Sequence, residues 1–210
     1  MRTRKLAVAT VWMAAVAWPA SGQSRPAADL RVPVYMDYQG GDLRAANLSM
    51  AIASRMFRRI GVTLIWVTSR SLPPEGIRIA LTSNTPASLH PDALAYATPY
   101  EGTQIRVFRD RIASYKAALA PHLLAHVMVH EIIHILQGGT WHSDRGVMKA
   151  SWDGADFSQM LSADLSIAQE DADSIHLGIE KRARLAAAHT NQDSLAHNMA
   201  AGLVAPLQPR

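Results

Sequence analysis

Residues 121–152 read PHLLAHVMVHEIIHILQGGTWHSDRGVMKASW, and this stretch decides the fold. Within it HEIIH, at 130–134, fits the pattern H-E-x-x-H of a helix-borne metal site. Residues four apart on a helix share a face about one turn apart, so His130 and His134 can reach one ion. Glu131 lies about 100° further round the helix and is carried beside the metal without ligating it. There it is placed to act as general base towards a water that the metal acidifies. Around the motif, Leu123, Leu124, Val127, Met128, Val129, Ile132, Ile133, Ile135 and Leu136 make the segment apolar almost all round. Such a helix belongs at the centre of a domain, where its polar residues need partners. Pro121 suits its first turn, and Gly138 and Gly139 suit a left-handed stop after Gln137.

His142 follows the glycines, close enough to fold back as a third ligand, and Gly146-Val147-Met148 comes next. HEIIH, the two glycines, His142 and the Gly-Val-Met run together resemble the metzincin zinc metalloproteases. The resemblance implies zinc held by His130, His134 and His142, Glu131 as the catalytic residue, and Met148 in a methionine-containing turn beneath the metal. It covers about thirty residues and departs from the usual spacing. The family's glycine and third His fall three and six residues after the second His. Here the glycines fall four and five residues on, and His142 eight. The residues alone therefore leave Asp144 and, in a thermolysin-like arrangement, Glu170 as rivals to His142. His122 and His126 continue the four-residue series but read as structural.

Working outward, the chain of 210 residues has room for one domain with a real core. Its formal charge of +4 is concentrated at the start. Met1-Arg2-Thr3-Arg4-Lys5 followed by the apolar run 6–18 has the form of a secretory signal peptide, with cleavage expected after Gly22. That run of thirteen residues is too short to span a bilayer. Without the three basic residues of 1–22 the chain carries 18 Lys plus Arg against 17 Asp plus Glu. Nothing in so neutral a balance argues for nucleic acid or an anionic membrane, and the expectation is no nucleic-acid partner and no stable membrane insertion after cleavage. The absence of cysteine removes disulfides and Cys-based zinc sites, leaving His and carboxylates as ligands.

Residues 32–38 (VPVYMDY) and 62–68 (VTLIWVT) read as strands. Between them Leu43, Ala46, Met50, Ala53, Phe57 and Ile60 mark a helix stopped by Gly61, which implies a right-handed crossover and a parallel pair. Residues 77–82 alternate as a third strand, 93–98 and 104–108 suggest an edge hairpin, and 109–120 a helix. Residues 156–188 are expected to form one amphipathic helix with Leu161, Leu165, Ala168, Ala172, Ile175 and Ile179 inside.

The expected architecture is an α/β (α+β) domain: a small twisted mixed sheet, a buried zinc-binding helix, a metal loop with its methionine turn, and a C-terminal helix. The expected division is a signal peptide at 1–22, a zinc metallopeptidase domain at 23–188 and a flexible tail at 189–210. The function expected is that of a secreted or periplasmic zinc metalloendopeptidase acting on a peptide or protein substrate laid along the sheet edge, beside 93–98 or 104–108. Tyr96 and Tyr100 are candidates to assist. A non-catalytic zinc-stabilised binding module, and a metal-dependent amidase acting on cell-wall peptides, are the competing readings.

Overall fold

The computed structural model describes residues 30–38, 42–98 and 103–202. The signal-peptide segment 1–22 and Tyr100 lie outside the described residues.

Strand β1 (Leu30–Asp37) pairs in parallel with β2 (Val62–Val67) through the register Leu30↔Val62 to Tyr35↔Val67. The intervening helix α1 (Leu43–Arg58) is capped by Asp42, whose carboxylate accepts the Arg44 N–H at 2.8 Å. Its buried residues are Ala46, Ser49, Ile52, Ala53, Met56 and Phe57, with Leu43 61 % exposed. The inner face is therefore rotated from the expected one, because α1 packs against both β2 and the central helix. Ser49 makes the second contact directly, its Oγ donating to the Pro121 carbonyl at 2.8 Å.

Strand β3 (Ile77–Thr82) adds in parallel to the other side of β1, and β5 (Gln104–Phe108) in parallel to β3. The short β4 (Ala95–Ala97) closes the sheet antiparallel to β5, giving the order β2-β1-β3-β5-β4. Since β5 is paired on both sides, only β4 of the two candidate segments is an edge. Helix α2 (Arg109–Ala113) is shorter than the sequence suggests, and its continuation is a turn in which the Lys116 carbonyl accepts from Leu119 and Ala120.

Helix α3 (Ala120–Gln137) fills the centre, with thirteen of its eighteen residues buried. It carries Pro121 in its first turn and ends at Gly138, whose φ of 68° is left-handed. A 3-10 turn (Gly146–Met148) follows the metal loop, with Val147 and Met148 fully buried.

The expected single helix over 156–188 is two helices, α4 (Gly154–Ser162) and α5 (Gln169–Gly202). The chain is extended at Ala163 (φ −154°, ψ 157°), and each neighbouring group is used from outside a helix. Asp164, buried, receives Arg55 through two bonds of 2.7 and 2.8 Å and Arg59 at 3.0 Å. The Leu165 N–H donates to His126 Nε2 at 3.0 Å, and the Ser166 carbonyl accepts the Val147 N–H at 2.9 Å. Leu161, expected inside, is 49 % exposed on α4, while Leu165, Ala168, Ala172, Ile175 and Ile179 are buried. Helix α5 continues past residue 188 into the segment expected to be a tail.

Helices α3 and α5 meet closely at Gly178, where an added Cβ would sit 1.7 Å from the Leu136 carbonyl oxygen. Alanine favours a helix over glycine by roughly 1 kcal/mol, but relief here requires backbone to move. Gly178→Ala is therefore expected to lower stability by about 1–3 kcal/mol in denaturant titration. An unchanged or raised midpoint would show that α5 is not seated this tightly.

Candidate metal centre

The stop at Gly138 reverses the chain immediately after α3, with the Gly138 N–H donating to the His134 carbonyl at 2.9 Å. A Cβ at Gly139 would lie 1.7 Å from the ring of the exposed Trp141, so a side chain there would have to push that ring aside. The loop then brings His142 over the helix. Ring centroids lie 4.6 Å apart for His130–His134, 5.1 Å for His130–His142 and 5.0 Å for His134–His142. One nitrogen from each imidazole falls within 4.8 Å of the other two. This is the one such convergence among the described residues, and neither Asp144 nor Glu170 belongs to it. Glu170 instead accepts from Arg145 Nη2 at 3.0 Å on the exposed surface.

Two of the rings are held from behind. His130 Nδ1 lies 2.9 Å from the Val147 carbonyl, and His134 Nδ1 lies 3.0 Å from that of Gly139. A carbonyl only accepts, so each Nδ1 carries the proton and each Nε2 presents a lone pair. Those two Nε2 atoms face one another at 3.0 Å. Two opposed lone pairs repel, and a shared cation removes the conflict. Nitrogens on a tetrahedral zinc ion with bonds of about 2.0 Å are separated by roughly 3.3 Å, close to what the rings offer. Burial lowers the pKa of both His130 and His134 to about 4, aided by the neighbouring imidazoles and opposed by the carbonyl bonds. Both are thus neutral at pH 7, as metal ligands must be. Three imidazoles form a donor set suited to zinc with a position left over.

Glu131 is buried beside this group. Burial raises its pKa to about 8, opposed by a hydrogen bond from the Ala97 backbone N–H. The edge strand β4 is thereby tied to the helix at the site. A cation at the three imidazoles acts in the opposite direction to burial and favours the carboxylate.

No family profile matches the sequence, and no curated protein matches it. Among solved structures, archaemetzincin from Methanopyrus kandleri superimposes with a TM-score of 0.51 at 12% identity, covering 74% of this chain and 98% of that one. The fold is similar to that archaemetzincin's. Archaemetzincin from Archaeoglobus fulgidus aligns with a TM-score of 0.48 at 15% identity, over 69% of this chain and 99% of that one. A zinc-dependent peptidase from Methanocorpusculum labreanum gives 0.49 at 9% identity, over 69% and 99%.

Met148 is fully buried in the turn whose Val147 carbonyl meets His130 Nδ1 at 2.9 Å. Gly146 makes the turn possible: its φ is 69°, and a Cβ would meet the Ser166 carbonyl oxygen at 2.2 Å. His126 is a core residue, with Nδ1 2.7 Å from the His122 carbonyl and Nε2 accepting from Leu165. His122 remains outside the triad, its Nδ1 buried without a hydrogen-bond partner. The Tyr96 ring lies against Phe108, 6.0 Å between centroids.

Sequence reasoning missed the supporting contacts: the Val147 and Gly139 carbonyls, the Ala97 N–H and the buried Asp171. Backbone groups carry no signature in a sequence. Trp152, which closes the stretch 121–152, stands with its ring edge-on to His130, 5.7 Å between centroids.

Proposed function

We propose that this chain is an exported zinc-dependent endopeptidase, with His130, His134 and His142 holding the metal and Glu131 as general base. The observation that carries the reading is the convergence of three imidazoles beside a buried carboxylate. When bound, zinc would supply Lewis acidity to the scissile carbonyl and to the attacking water. Glu131 takes the proton released as water adds to the carbonyl carbon. As the C–N bond breaks, it delivers that proton to the departing amine nitrogen. The Ala97 N–H holds the carboxylate in position for both transfers.

The substrate on this reading is an extended peptide. Strand β4 is the edge of the sheet, and its Ala97 reaches Glu131, so a peptide pairing with β4 would pass beside the imidazoles. Export rests on the basic start and apolar run of residues 1–22. Among the described residues no helix is long and apolar enough to cross a membrane.

Protein purified without added zinc is expected to carry about one zinc per chain and to cleave a generic protein substrate. Chelation should remove both properties, and zinc should restore both. The apo form should also melt earlier than the holo form. Less than about a tenth of an equivalent, unchanged after dialysis against zinc, would sink the metal reading.

A further inference from the structure

His142 is the exposed member of the triad, and it hangs on a loop two residues longer than the spacing of the family it resembles. A longer loop has more conformations to lose when it closes on a metal. Something must hold it. Next to His142, the Ser143 N–H donates to the Met148 carbonyl at 2.9 Å, which fixes the backbone on one side. The Ser143 hydroxyl donates to Asp171 at 2.7 Å. Asp171 lies in the first turn of α5, is 2 % exposed, and accepts with its other oxygen from Gln137 Nε2 at 3.2 Å, at the end of α3. One buried carboxylate therefore joins the metal loop to the last residue of the zinc-motif helix and to α5.

We propose that Asp171 is a positioning residue of the metal centre, fixing His142 through Ser143. The inference rests on the metal-binding reading above and assigns Asp171 no ligand role. A carboxylate buried this deeply and bonded at both oxygens is costly to leave half-satisfied, so the loop is held where Ser143 completes the set. Its two partners, Gln137 at the helix end and Ser143 beside His142, bracket the segment that must close for His142 to reach the other imidazoles. The Gln137 Oε1 is buried without a partner, which gives a neutral replacement a way to be accommodated. In Asp171→Asn, the side-chain oxygen can still accept from Ser143, while its NH2 donates to Gln137 Oε1 once that amide has turned over.

Zinc affinity of the full chain, measured by chelator competition with zinc itself, tests this. Asp171→Ala is expected to lower affinity by about 10–100-fold and Ser143→Ala by about tenfold. Their combination should be no worse than Asp171→Ala alone, because both remove one connection. Asp171→Asn should stay within about threefold of wild type. In a His142→Ala background, Asp171→Ala should have no further effect. Equal losses in Asp171→Asn and Asp171→Ala, with Ser143→Ala unaffected, would mean that the charge acts and the connection does not. An equal loss with and without His142 would show a general effect on the fold. Either result overturns the proposal, as does wild-type affinity in Asp171→Ala. If that variant fails to fold, the milder loop change Ser143→Ala, with and without His142, decides the matter. A wild-type chain that holds no zinc defeats the metal reading and this inference together; a wild type that binds with an unaffected Ser143→Ala defeats only the inference.

Discussion

Replacing Glu131 by glutamine is expected to lower kcat/KM on a peptide substrate by about 10²–10⁴-fold while zinc stays bound. Glutamine has the shape of glutamate, and its side-chain oxygen can still accept the Ala97 N–H. It cannot take a proton from water at neutral pH. Nothing in the ligand set changes, because Glu131 lies beside the three imidazoles and not among them. Nor should the fold suffer, since burial already disfavours the charged form of Glu131 when no cation is near. His134→Ala separates the two roles by losing zinc and turnover together. Retention of most of the wild-type turnover by Glu131→Gln, with zinc content unchanged, would remove Glu131 from the mechanism.

His142→Ala should weaken zinc binding by at least about a hundredfold, with Asp144→Ala and Glu170→Ala changing it by less than about tenfold. Loss of His142 leaves two imidazoles whose Nε2 atoms face each other, one donor fewer than the three that converge here. Asp144 and Glu170 lie outside the convergent set. Glu170 is engaged with Arg145 in an exposed pair, a type of contact worth little to stability and unrelated to the metal. Competitive titration of the three variants under one buffer gives the comparison. A collapse in Glu170→Ala with His142→Ala unaffected would place the third ligand on α5.

Much of this was legible before any coordinates. The periodicity of residues 43–60 gave a helix between two parallel strands, and the all-round apolar character of 121–137 placed that segment at the centre. The triad was legible because a ligand must be a particular side chain at a workable spacing. The break at 163–168 was not. Leu165, Ala168, Ala172, Ile175 and Ile179 keep the inward pattern, so hydrophobic spacing continues through a segment that is not helical. What interrupts the helix is tertiary: Asp164 is drawn to Arg55 and Arg59, and the Leu165 N–H to His126. Those partners lie far away in sequence. The face of α1 was misplaced for a similar reason, because a helix packed against two neighbours buries more than one stripe.

The interrupted segment also separates what may vary in this site from what may not. The Ser166 carbonyl receives Val147, and Val147 in turn holds His130 through its own carbonyl. Any side chain at position 146 would strike Ser166 and disturb both links. The stretch between Gly139 and His142 has no comparable obligation to a fixed length, since its ends are pinned separately, one by the helix stop and the other at Ser143. A search for distant counterparts should therefore let the interval from the second to the third histidine float. It should hold constant the glycine two residues before the methionine.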